Sequence, residues 1–130
     1  MESIFDLIDE KELVDIFSKA VDIPSTNPKG NEKPMCEYVE DLLKQNGIEY
    51  FTVPVEDGRY DIIAKLKGKI NKDAVVFTGH MDVVPVSDDE MKRWNTPPFK
   101  STIKDGKLYG RGSADMKSGL ISAIYSMILL

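Results

Sequence analysis

Two short stretches of this chain hold residues that could do chemistry together. In "VVFTGHMDVVPV", Val75 to Val86, an apolar β-type run breaks at Gly79 and delivers His80 and Asp82 before the apolar pattern resumes. In "GRGSADMKSGL", Gly110 to Leu120, Asp115 stands between a glycine-rich turn and a helix start. His80 is the chain's one histidine. In an extended segment, residues i and i+2 point to the same side, so His80 and Asp82 face one site. Imidazole is a common metal ligand, and carboxylates either ligate beside it or orient its ring.

Each stretch alone has a plainer use. A histidine at a strand end is ordinarily a hydrogen-bonded structural residue. Asp115 alone could cap a helix beginning at Met116. The glycines invite nucleotide readings, and these fail. A phosphate-binding loop needs Gly immediately before Lys and Ser or Thr, whereas Met116 precedes Lys117 and Ser118. The dinucleotide pattern needs a third glycine where Asp115 stands. Serine-triad chemistry would claim His80, but the sequence has no Gly-x-Ser-x-Gly elbow.

The elements around these stretches follow from periodicity. Apolar residues recur at helical spacing over 3–20, with a break at Asp9 and Glu10. "IPSTNPKGN" reads as a loop. A helix over 32–46 follows, with Asn31 as N-cap, Pro34 in its first turn, Gly47 as its stop and a core stripe of Met35, Tyr38, Val39, Leu42 and Leu43. "EYFTVPV", "YDIIAKLKG" and "DAVVFTGH" read as strands, the last two joined hairpin-fashion by "KGKINKD". Residues 85–98 form a long surface loop that Trp94 and Phe99 pack down. "STIKDGKLYG" reads as two short strands about the tight-turn pair Asp105-Gly106. A last helix begins in "DMKSGLISAIYSMILL". This order predicts an α/β fold, an α/β/α sandwich with its chemistry at strand ends and in the loops beyond them.

Bulk composition narrows the function classes. The 130 residues are enough for one domain and its core. The net charge of -5 argues against nucleic-acid or anionic-membrane partners. The run "LISAIYSMILL" is too short to span a bilayer, and "MESIFDLIDEKEL" lacks a signal-peptide pattern. One cysteine, Cys36, allows no internal disulfide and no CxxC zinc spacing, which fits the cytoplasm. Its expected role is that of a small buried apolar residue.

Jointly, "TGHMDVVPV", then Trp94 and "PPF", then "DGKLYGRGSADMKSGL" resemble the zinc-dependent acetylornithine deacetylase and succinyl-diaminopimelate desuccinylase family, with its aminoacylase and dipeptidase relatives. Residues 75–120 carry the resemblance, and "VDIPSTNPKGNE" and "GIEYFTV" support it more weakly. It implies two Zn2+ ions per complete site, with Co2+ or Mn2+ as substitutes. It implies that His80 ligates one metal, that Asp115 bridges both, and that Asp82 is the catalytic-site carboxylate that holds and tunes the His80 ring. It implies hydrolysis of an N-acyl amino acid or small peptide amide by a metal-activated water, with a glutamate as general base. It also implies a cis peptide after Asp115 and a homodimeric full-length protein.

The glutamate pair, further carboxylate and second histidine of that family should follow Asp115, but the sequence stops at Leu130 within an apolar helix. The expectation is therefore that residues 1–130 are the N-terminal part of the catalytic domain, with a dimerisation domain and the rest of the catalytic domain absent. Such a chain should be inactive and bind zinc poorly alone, since a catalytic zinc normally has about three protein ligands. The alternative is a non-catalytic truncated domain with a folding or interaction role.

Overall fold

The structure is a computed structural model. It describes residues 3–28, 31–56, 58–70 and 72–130, with Ile4 described in its backbone alone. A single 3-10 turn, Ile4–Leu7, precedes helix α1, Glu10–Asp22. The expected break falls at Asp9, whose side chain accepts from the Glu12 N–H at 3.0 Å and caps α1. Phe5 and Leu7, within the span read as helical, are exposed on the preceding turn.

Helix α2 spans Lys33–Gln45. Its N-cap position is Glu32, without a side-chain cap bond. Asn31, the expected cap, instead donates to the Pro24 carbonyl at 3.2 Å, so its amide ties the preceding loop rather than the helix. Gly47 ends α2 as expected: it takes φ +66°, where a side chain would be strained, and Ile48 N–H then reaches the Leu43 carbonyl at 2.9 Å. Met35, Val39, Leu42 and Leu43 are buried and Tyr38 is half-buried, as the stripe requires.

Strands β1, Glu49–Glu56, and β2, Arg59–Lys65, pair antiparallel, with Tyr50 opposite Ala64 and Thr52 opposite Ile62. Period-2 alternation sends Tyr50, Ile62 and Ala64 toward the core and leaves Phe51, Val53, Val55 and Ile63 on the exposed face. The one-turn helix α3, Asp88–Met91, lies within the long loop and is closed by a capping box between Ser87 and Glu90. Strands β3, Thr102–Lys104, and β4, Lys107–Tyr109, form the expected short hairpin about Asp105 and Gly106. Helix α4 spans Ser118–Leu129.

One core joins these parts. Ala20 from α1, Met35, Val39 and Leu43 from α2, Ile48 before β1, and Ile121 and Ile124 from α4 bury one another. Each large aliphatic side chain so buried contributes about 1.5–3 kcal/mol. Tyr125 of α4 adds a polar tie across it, donating to Glu12 Oε2 at 2.9 Å. The α/β class expected from the sequence is the class observed.

The third predicted strand differs. Among the described residues, "DAVVFTGH" pairs with no strand, and "KGKINKD" closes no hairpin because β2 pairs with β1 alone. Val75, Val76 and Phe77 are 83%, 82% and 73% exposed. A continuous apolar run marks a strand covered on both sides, and no described element covers this one.

Candidate metal centre

The backbone just beyond His80 is fixed by the loop that follows α1. Val83 N–H donates to the Ser25 carbonyl at 2.8 Å, and Asn27 N–H donates to the Val83 carbonyl at 3.0 Å. Thr26 and Val83 thereby form an isolated parallel bridge. The Ser25 hydroxyl donates to the Met81 carbonyl. Val83 is buried in this arrangement, so its neighbour Asp82 takes the other side.

The glycine-rich turn brings up Asp115. Gly112 takes φ +83°, and a Cβ there would meet Val83 and Lys117; a Cβ at Gly110 would run into Val21. The turn can therefore lie directly on the 80–83 segment and on α1. Residues 113–117 form a kinked turn in which Asp115 has φ -128° and ψ 102°. The Asp115–Met116 peptide is cis, as the resemblance implied. Asp115 does not cap α4: its backbone is non-helical, and the N-cap position is Lys117.

Lys117 holds this turn from below. Its side chain is buried, and Nζ donates to the Ala20 carbonyl at 2.9 Å and to the Ile23 carbonyl, the open end of α1. Burial pushes its ammonium down to about 8, against a smaller opposing pull from Asp22.

The three expected residues meet. His80 Nδ1 lies 3.1 Å from Asp82 Oδ1 and 3.0 Å from the Asp82 carbonyl. His80 Nε2 lies 3.0 Å from Asp115 Oδ1. Desolvation alone would lower the imidazole pKa; the hydrogen bonds to Asp115 and to the Asp82 backbone, with both carboxylate charges, outweigh it and raise the pKa above its ordinary value.

His80 and Asp115 are a nitrogen and an oxygen donor of the kind that zinc takes, and both are open to solvent. Asp82 is occupied differently: one carboxylate oxygen faces His80, and the other accepts from Asn27 Nδ2 at 3.2 Å. Among the described residues, no group of three or more His, Cys, Asp or Glu side chains gathers as a metal cage. The pair fits part of a coordination shell.

Sequence reading missed three residues here. Asn27 sits in what reads as an ordinary loop, and Arg59, which donates to Asn27 Oδ1, sits at a strand start. No periodicity marks either. Lys117 had one available signal, a lysine set among apolar helix positions beside the Asp115 motif. Cys36 is buried as expected, and burial pushes its thiol up to about 11, so it is a poor nucleophile.

Residues 76–130 match Peptidase family M20/M25/M40. A Staphylococcus epidermidis protein named "Probable succinyl-diaminopimelate desuccinylase" is 37% identical over 124 residues, covering 95% of this chain and 29% of that protein. A Wolbachia pipientis succinyl-diaminopimelate desuccinylase is 37% identical over 116 residues, covering 88% of this chain and 27% of its own length. The crystal structure of human carnosine dipeptidase 1 matches the fold with a TM-score of 0.78 at 30% identity, over 97% of this chain and 30% of that one. The chain thus spans under a third of the length of these relatives. The resemblance read from the two motifs is borne out, and the family is generally metal-dependent.

Proposed function

We propose that this chain, a member of peptidase family M20/M25/M40 through its segment 76–130, is the N-terminal part of the catalytic domain of a metal-dependent amide hydrolase. Its substrates are N-acyl amino acids or small peptides, the class to which succinyl-diaminopimelate and dipeptides belong; the names of its relatives support this. The metal is zinc, which cobalt or manganese can replace. The whole protein works as a cytoplasmic homodimer.

The observation that carries the reading is the convergence of His80 Nε2 and Asp115 Oδ1 at 3.0 Å, with Asp82 behind the ring. His80 and Asp115 would hold metal. When bound, the metals supply an activated water and polarise the acyl oxygen. The chain's own residues prepare that site. The Asp82 carbonyl can accept from Nδ1, and Asp82 Oδ1 lies 3.1 Å from the same nitrogen, so this side of the ring is held by protein and Nε2 is the nitrogen turned toward Asp115 for ligation. Asp115 presents two carboxylate oxygens from a backbone that Gly112 and Lys117 hold in place. The general base and remaining ligands lie outside these 130 residues, so the chain alone is inactive.

The test is hydrolysis of N-succinyl-diaminopimelate, an N-acetyl amino acid and a dipeptide by the protein encoded by the full reading frame containing this chain. Chelator-sensitive cleavage of at least one, restored by zinc and abolished by His80→Ala, is expected. Cleavage of none, or cleavage indifferent to His80→Ala, overturns the reading.

A further inference from the structure

We propose that Asn27 is a positioning residue for His80, acting through Asp82; this rests on the metal-centre reading given above. The two oxygens of the Asp82 carboxylate are divided between two partners. Oδ1 faces His80 Nδ1 at 3.1 Å, and Oδ2 accepts from Asn27 Nδ2 at 3.2 Å. A carboxylate held at one oxygen can turn about its broad, roughly two-fold χ2; held at both, its plane is fixed. Asn27 thus sets the direction in which Asp82 meets the imidazole.

Asn27 is itself held at three points. Its N–H donates to the Val83 carbonyl at 3.0 Å, which anchors its backbone one residue from Asp82. Its Oδ1 accepts from Arg59. Guanidinium only donates, so the amide oxygen must face Arg59 and the amide N–H2 must face Asp82. Of the side chains that could stand here, an amide both accepts from Arg59 and donates to Asp82. Arg59 is flanked by Glu32 and Glu56, each at 3.7 Å, so it orders the amide without delivering a free positive charge to the site. The ordered path runs from Arg59 on β2, through Asn27 in the α1–α2 loop and Asp82, to His80.

Because His80 is the one histidine, its ring nitrogens can be followed without ambiguity in a long-range 1H–15N spectrum of the metal-free chain, at a pH where the ring is neutral. Nδ1 faces the Asp82 carbonyl and carboxylate while Nε2 faces Asp115, so the ratio of the two tautomers reads how firmly each side holds the ring proton. In Asn27→Ala the ratio of Nδ1–H to Nε2–H should fall about threefold or more, as expected when the Asp82 carboxylate is free to turn away from Nδ1 and its contact weakens by a fraction of a typical polar interaction. Asn27→Asp keeps the shape and the Arg59 acceptor but places a like charge against Asp82, and the ratio should fall there too. Arg59→Gln, remote from the ring, should lower it in the same direction. Unchanged amide signals of Ser25 and Val83 show that the fold persists in a variant. An unchanged tautomer ratio in any Asn27 variant that keeps those signals overturns the proposal. Zinc titration of the same samples is read separately: a tautomer effect without a zinc response overturns the metal reading and leaves the positioning role standing.

Discussion

His80 Nε2 and Asp115 Oδ1 stand 3.0 Å apart although 35 residues separate them in sequence. That contact is made by two backbones pressed together. Asp115 rides on a turn that can approach because Gly112 has no Cβ to meet Val83, and Val83 is the residue bridged to Thr26. The ligand geometry therefore depends on packing behind the site as much as on the ligands themselves.

Lys117 is the clearest test of that packing. Its buried ammonium donates to two carbonyls at the end of α1. Lys117→Ala removes both bonds and leaves a cavity, so urea denaturation should show a loss of about 2–4 kcal/mol. Lys117→Met keeps the stem and removes the cost of burying a charge, and it should lose about half as much or less.

Leu43 of α2 is 1% exposed in the buried cluster that it shares with Ile48 and with Ile121 and Ile124 of α4. Leu43→Ala should destabilise the chain by about 2–5 kcal/mol. Exposed Val14→Ala, measured in parallel, should change stability by less than about 0.5 kcal/mol.

Burial pushes the Cys36 thiol up from 9.0 to about 11, with Glu40, Glu37 and Glu32 adding to the effect. At pH 8 native Cys36 should react with iodoacetamide about 100-fold more slowly than in urea, from thiolate population alone. The sign for stability follows. The folded thiol keeps its proton where the unfolded thiol has lost it, so stability falls as pH rises from 9.0 to about 11. Cys36→Ala should flatten that part of the curve, leaving the contribution of Tyr38, whose phenol burial pushes up to about 12.

Val75, Val76 and Phe77 present a contiguous apolar run to solvent. The 130-residue chain should self-associate in sedimentation runs as concentration rises, and Val76→Lys should reduce this without lowering the urea midpoint. Equal association of the two proteins would contradict the expectation.

Local signals made much of this structure legible. Asp9 as a break, Gly47 as a stop, the Asp105-Gly106 turn and the α2 stripe each depend on residues within a few positions of one another. "DAVVFTGH" misled because an apolar run reports what a strand needs, not whether a neighbouring strand meets it. At the site, His80, Asp82 and Asp115 were visible because metal chemistry restricts residue type and their motifs are close-spaced. Asn27 and Arg59 were not, because any loop amide or strand-edge arginine looks the same until folding brings it to a partner 55 or 32 residues away, and Lys117, whose partner lies 97 residues away, showed only its place beside the Asp115 motif.

The most direct measurement is zinc titration of the 130-residue chain, followed at the His80 ring signals. The account predicts saturable shifts in the weak range of about 0.1–1 mM, since two donors fall short of the usual three. Asp115→Asn should weaken the response about tenfold. No shift at millimolar zinc, or an identical response in Asp115→Asn, would contradict the assignment of His80 and Asp115 to one metal centre.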